Sequence, residues 1–220
     1  MKTRILLIAL IAALSALLVW LTVFWEPIPP KPIARVQPHS QLQLAKAPGG
    51  GDFTLQGKNG PVALKDYRGK VVLLYFGYTF CPDVCPTSLS LMAQALSSLT
   101  PAERERVQGI FISVDPERDT LDRLKEYAPF FHPSIVGITG TPEQVATVAG
   151  QYGASYMKQK ANADGQYAVD HSSITYVIDP QGKLVVSLPH ASPPGQIVEA
   201  VRASLTAGSS TMKPEAGTGQ

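Results

Sequence analysis

Cysteine is scarce in this sequence: only Cys81 and Cys85 occur in 220 residues. Two thiols exclude a disulfide-dense scaffold and a four-thiolate metal site. Charge is scarce as well. Charged residues make up 16% of the chain, below the ~25% of soluble domains, so part of the sequence is expected to meet lipid. Neither sign dominates, since the formal net charge is only +2, and that field is too weak to imply nucleic-acid binding. Internal repeats are absent, and glycine and proline together are too few for a low-complexity chain. A length of 220 residues suits one ordinary domain and would crowd two.

One long apolar run is present, and it opens the chain. Ile5 to Trp25 carries no charge and only Ser15 and Thr22 as polar members. About 21 residues at a helical rise of ~1.5 Å cover the ~30 Å hydrocarbon core of a bilayer. Trp20, Phe24 and Trp25 crowd its far end, where amphipathic rings favour the headgroup level. The run exceeds the ~7–15 residues of a signal-peptide core, and Phe24-Trp25-Glu26-Pro27 offers no small-residue cleavage site. No cysteine follows to take a lipid. Residues 5–25 are therefore expected to be a retained transmembrane anchor. Lys2 and Arg4 place residues 1–4 in the cytoplasm and the rest of the chain across the membrane. That topology predicts a single-pass protein of a bacterial-type inner membrane, with its domain in the periplasm. Residues 26–46 hold Pro27, Pro29, Pro30, Pro32 and Pro38, the composition of a semi-rigid spacer. Residues 207–220 are rich in Gly, Ser and Thr and read as a disordered tail.

Residues 47–206 alternate between strand and helix patterns. Val71 to Phe76 is a continuous apolar run, as in a strand buried on both faces. Pro86 to Leu99 places Leu89, Met92, Ala93, Leu96 and Leu99 at helical spacing. A second strand is predicted over 107–114, a helix over 120–130, a strand over 135–138 and a helix over 141–152. Two strands, 174–178 and 184–187, flank the turn Asp179-Pro180-Gln181-Gly182, and a helix over 195–205 closes the domain. Gly57-Lys58-Asn59-Gly60 suggests an N-terminal hairpin within 50–64, and 154–169 reads as a surface excursion. The order predicts an α/β sandwich, a central mixed β-sheet flanked by helices.

The chemistry gathers where the first buried strand meets the first helix, in Phe76-Gly77-Tyr78-Thr79-Phe80-Cys81-Pro82-Asp83-Val84-Cys85-Pro86. Free N–H groups and the positive helix end at such a junction favour thiolate. A separation of four residues across a turn puts both sulfurs on one side. That geometry permits a disulfide, and it equally offers two soft donors to a thiophilic ion. Small buried hydrophobes are the plain alternative. The pair is not C-x-x-C, and no His follows Cys85, so covalent haem attachment is excluded. Of the histidines, His39 falls in the spacer, His132 at a helix end beside Pro133, and His190 beside Pro189. His171 precedes a strand that, in this fold class, neighbours the one ending at the cysteines. It is the candidate third donor, with Asp170 a candidate to orient its ring. Asp83 is a candidate fourth ligand or a solvated turn acid. Asp115 and Asp119, in Asp115-Pro116-Glu117-Arg118-Asp119-Thr120, read as turn and helix-cap residues, with Asp115 also a candidate for partner docking. Tyr78 and Phe80 either shield the site or pack in the core.

GGDFTL at 50–55, GKVVLLYFGYTFCPDVCP at 69–86, SVDPERDT at 113–120 and VDHSSITYVID at 169–179 together resemble the SCO/SenC family. The resemblance runs in order across nearly the whole domain. It implies a thioredoxin-like fold and copper, as Cu(I) and Cu(II), bound by Cys81, Cys85 and His171. It implies an assembly factor rather than an enzyme, serving the dinuclear copper site of cytochrome c oxidase subunit II or another cuproenzyme. A copper donor protein is implied too. The alternative is a thiol–disulfide reductase using Cys81 and Cys85 as its redox pair. Thioredoxin-like oxidoreductases usually carry a proline before the strand facing their cysteines, and here that stretch reads His-Ser-Ser-Ile-Thr.

Overall fold

A computed structural model describes residues 6, 7, 12–20 and 48–210. The chain divides into two compact units, Met1–Gln43 and Leu44–Gln220. In the first, residues 12–20 are helical with exposed side chains. Among the described residues no helix is long and apolar enough to cross a membrane. Of the anchor expected over 5–25, residues 6, 7 and 12–20 are described and the rest are not; the spacer over 26–46 lies wholly outside the described residues.

The second unit is built on a seven-stranded sheet. It comprises β1 (Thr54–Gly57), β2 (Gly60–Ala63), β3 (Val71–Gly77), β4 (Val107–Ser113), β5 (Ile135–Thr139), β8 (Thr175–Ile178) and β9 (Leu184–Leu188), in the order β2-β1-β5-β4-β3-β8-β9. β3, β4 and β5 run parallel; β1, β2, β8 and β9 join antiparallel, so the sheet is mixed as expected. Every residue of β3 is buried, which is why it reads as an unbroken apolar run rather than an alternating one. Tyr75 of β3 lies opposite Phe111 of β4 on one side and Thr175 of β8 on the other. The strand leading into the cysteines thus sits between the strand leading into the Asp115 turn and the strand that follows His171.

Among the described residues five α-helices and a short 3-10 helix (Leu64–Tyr67) complete the unit, the α-helices being α1 (Val84–Ser98), α2 (Pro101–Glu105), α3 (Leu121–Phe131), α4 (Pro142–Gln151) and α5 (Pro194–Ser210). α1 buries Leu89, Met92 and Leu96, the periodic positions of the sequence pattern, and packs on α5. It starts two residues before the expected Pro86, which places Cys85 inside its first turn. Proline is tolerated there because first-turn N–H groups lack intrahelical partners anyway. α2 was not expected from the apolar pattern. Its signature is Thr100, whose hydroxyl accepts from Glu103 N–H in a capping box. Helix α5 continues to Ser210, so the tail expected from Ala207 begins as the helix's last turn; residues 211–220 are outside the described set.

The excursion expected over 154–169 is partly ordered pairing. β6 (Tyr156–Lys158) and β7 (Val169–His171) form a two-stranded antiparallel ribbon of their own, with Tyr156 opposite His171. Three-residue strands are too short to show a period of two, so no hydrophobic pattern marks them.

Candidate metal centre

β3 ends at Gly77, where no side chain fits. A Cβ there would lie 2.6 Å from Cys85 Sγ and 3.0 Å from the Phe111 ring. Glycine lets the thiol of the first α1 turn come down against the strand end. The loop from Tyr78 to Asp83 follows, and its floor is fixed by Asp119. That carboxylate, buried with its residue only 1% exposed, accepts from Thr79 N–H at 2.9 Å, from the Thr79 hydroxyl at 2.6 Å and from the Ser113 hydroxyl at 2.6 Å. Asp119 is thus not the helix cap its position suggested. Thr120 caps α3, its hydroxyl accepting from Arg123 N–H, and Asp119 is free to serve the cysteine loop.

Cys81 and Cys85 are both buried free thiols. The Cys85 backbone N–H donates to Cys81 Sγ at 3.5 Å, as an N–H at a helix start should. Cys85 Sγ lies 3.1 Å from His171 Nε2, and the three donor atoms Cys81 Sγ, Cys85 Sγ and a His171 ring nitrogen all fall within 4.8 Å of one another. The other ring nitrogen, Nδ1, faces the Ser172 carbonyl at 3.3 Å. To serve a metal through Nε2 the ring carries its proton on Nδ1, where that N–H donates to the carbonyl. The imidazole is wedged edge-on between Tyr78 (centroids 5.8 Å, 89°) and Tyr75 (6.2 Å, 87°). A cleft of about 320 Å³ opens onto the group, lined in part by Tyr78, Cys81, Asp83, Asp170 and His171.

The two thiols are electrostatically unequal. The Cys85 thiol donates towards Cys81, and with smaller help from His171 and the Asp83 and Cys85 backbone this holds Cys81 down at about 4 against the opposing effect of burial. The Cys81 thiolate and burial push Cys85 strongly upward. Cys81 is therefore the more acidic sulfur and Cys85 the one that keeps the proton. The expected consequence is selective alkylation. At pH 6 iodoacetamide should modify Cys81 and spare Cys85, with the Cys81 rate dropping only as pH approaches about 4. Peptide mapping by mass spectrometry checks this; equal labelling of both residues would refute the assignment.

The remaining candidates separate. Tyr78 is buried against His171. Asp83 sits exposed at the start of α1, where its carboxylate accepts from the Thr87 hydroxyl, and it is not in the three-residue donor group. Asp170 does not orient His171. Adjacent residues on a strand face opposite ways, and its carboxylate accepts instead from Gln159 Nε2. Asp115 is 4% exposed and accepts from Arg118 Nε at 2.5 Å and Tyr167 hydroxyl at 2.8 Å. His132 Nδ1 accepts from Ser134 N–H, and burial lowers its basicity. His190 meets the Ser88 hydroxyl at 3.0 Å. His39 lies outside the described residues. Phe80, next to Cys81, remains 47% exposed with the Arg118 and Arg123 guanidinium groups over its ring. Local pattern marks neither arginine: Arg118 stands between Glu117 and Asp119, and Arg123 lies on the first turn of α3.

The mixed sheet with a cysteine pair at the end of a central strand, Cys81 in the loop and Cys85 in the first helical turn, defines a thioredoxin-like α/β fold, and comparison with solved structures agrees. The chain belongs to the SCO1/SenC family, whose model matches residues 42–206. It is 37% identical to the mitochondrial SCO2 homolog of Bos taurus over 97% of this chain and 79% of that protein. It superposes on copper-bound Arabidopsis thaliana ScoI with a TM-score of 0.65 and 37% identity, covering 72% of this chain and 98% of that one. It also matches BsSco, described as a Sco-family cytochrome c oxidase assembly protein with a disulfide switch, at a TM-score of 0.57 and 26% identity, covering 73% and 95%.

Proposed function

We propose that this protein is a membrane-anchored copper chaperone that supplies the dinuclear copper site of cytochrome c oxidase subunit II, or another cuproenzyme, from a copper donor protein. The observation that carries the reading is the approach of Cys81, Cys85 and His171 to within 4.8 Å at the base of an open cleft. Two thiolates and one imidazole suit Cu(I), and the nitrogen donor also accommodates Cu(II). A structural zinc site would require four closed ligands. Copper bound in a sister structure of the same fold supports the same metal here. In this reading residues 5–25 anchor the chain in a bacterial-type inner membrane, 26–46 lift the domain away from it, and 47–206 hold the cargo on the periplasmic side. The Cys81 thiolate, which lines the cleft, meets the ion first. Cys85 gives up its proton as it joins, and His171 closes the set from the opposite side.

A second reading is favoured by the polarised thiol pair. A thiolate beside a protonated thiol is the arrangement of a dithiol reductant, and BsSco carries a disulfide switch. The protein would then keep the cysteines of the target copper site reduced. Copper titration of the full chain in detergent separates the two. The chaperone reading expects one equivalent, a sulfur-to-Cu(II) charge-transfer band, and loss or strong change of that band in His171→Ala. Copper affinity no better than that of a simple dithiol, unchanged in the variant, would leave the reductase.

A further inference from the structure

Three donors come from two separate pieces of structure. The cysteines sit at the end of the main sheet, whereas His171 ends a ribbon that shares no ladder with that sheet. His171 runs on into β8 within four residues and Val169 is buried in the core, but no ladder holds the rest of the ribbon against the cysteine loop. We propose that Arg118 is the positioning residue that does so, clasping the His171 ribbon onto the cysteine loop. This inference rests on the three-donor reading of the site.

The contacts run in both directions from one guanidinium. Towards the ribbon, Arg118 Nη1 donates to the Tyr167 carbonyl at 2.9 Å, and the guanidinium lies over the Tyr167 ring at 3.6 Å. Towards the cysteine loop, the same group faces Phe80 at 4.8 Å and Tyr78 at 5.6 Å. Tyr78 in turn packs edge-on against His171. Asp115 accepts from Arg118 Nε at 2.5 Å and from the Tyr167 hydroxyl at 2.8 Å, so ribbon and turn share one carboxylate. A second tie lies alongside, with Lys158 of β6 2.6 Å from Glu117 and 4.1 Å from the Tyr167 ring. That second tie is solvent-exposed and therefore weak, but the Asp115–Arg118 pair is not: the side chains are 4% and 20% exposed. Only a planar fork can pair with a carboxylate, donate to a carbonyl and stack on a ring at once. Tyr167 lies four residues before His171, so a displaced ribbon carries the imidazole away from the thiols.

The test uses the full chain with Arg118→Met, which keeps length and loses the fork, and Arg118→Lys, which keeps only the charge. In the metal-free protein, hydrogen exchange at β6, β7 and Ser172 N–H should accelerate at least tenfold in Arg118→Met. The amides of β3 and β4 should exchange as in the wild type, and Arg118→Lys should fall between. With copper, the variant should bind Cu(I) about 10–100-fold more weakly, as when outer partners of metal ligands are removed, and should lose nitrogen coupling from the Cu(II) EPR spectrum. In a His171→Ala background Arg118→Met should add nothing, which a general loss of stability would not reproduce. Should Arg118→Met not fold, Tyr167→Leu removes the stacking platform from the ribbon side and is expected to give the same pattern. Unchanged ribbon exchange with full nitrogen coupling, or full additivity with His171→Ala, overturns the proposal. A wild-type protein without copper affinity refutes the donor reading alone, because the metal-free exchange measurement still decides whether Arg118 holds the ribbon.

Discussion

Replacing Cys85 with alanine is expected to abolish the copper site and, with it, the acidity of Cys81. Cys85 is fully buried at the end of β3 and supplies one of the three donor atoms. Its loss should weaken Cu(I) binding by more than the ~100-fold at the upper end for an outer partner, since a ligand itself is removed. The hydrogen bond from the Cys85 thiol is also the largest cause of the lowered Cys81 value. The alanine variant should therefore return Cys81 towards the ordinary thiol range, and its alkylation at pH 6 should slow. Cys85→Ser divides the two effects. A hydroxyl still donates to Cys81 but is a poor partner for a soft ion, so copper binding should fail while alkylation at pH 6 persists. The same alkylation rate in all three proteins would show that Cys81 owes its acidity to His171 and the backbone rather than to Cys85. The sign for stability follows from the same shift. Held at about 4 in the fold against ~8.5 in the unfolded chain, Cys81 contributes stability that is complete near the unfolded value, above which the raised Cys85 takes stability away. That contribution is lost as pH falls towards about 4.

The second large effect is expected at Asp119. Asp119→Ala removes the acceptor of three buried donors, the Thr79 N–H and the hydroxyls of Thr79 and Ser113. Each donor left unsatisfied costs ~1–3 kcal/mol, so a loss of about 3 kcal/mol or more is expected. For a chain of this size that corresponds to a melting point lower by roughly 6–12 °C. Urea unfolding of the wild type, Asp119→Ala and Asp119→Asn checks it, with the asparagine variant intermediate because it keeps one acceptor oxygen. A change within ~0.5 kcal/mol, as for an ordinary surface substitution, would refute the role of Asp119 as the floor of the cysteine loop.

How far the sequence carried the structure can be judged from individual elements. β3 was plain because every one of its side chains is buried, and a run of that kind needs no partner information to be recognised. His171 could be placed near the cysteines because an α/β order of this type sets its following strand beside β3, which the β3–β8 ladder bears out. The ribbon was not legible, since three residues per strand leave no periodicity and its pairing is tertiary. Asp119 and Arg118 were misjudged or passed over for a related reason. Local pattern offers an acid before a helix as a cap, whereas its actual partner, Thr79, lies 40 residues away. Arg118 contacts residues 38 and 49 positions distant, and nothing in its immediate neighbours announces them.

On the chaperone reading, the separate ribbon also sets an order of departure for the cargo. Both sulfurs are rooted at the end of the main sheet, one inside a helix turn and one in a loop tied to Asp119, whereas the nitrogen arrives on a ribbon that shares no ladder with that sheet. A recipient bringing its own thiolates would come through the cleft that Cys81 and His171 both line. It is expected to replace the imidazole before it contends with either sulfur. Unloading then begins at the hinge of least resistance, and the metal need never be free in solution between the two proteins.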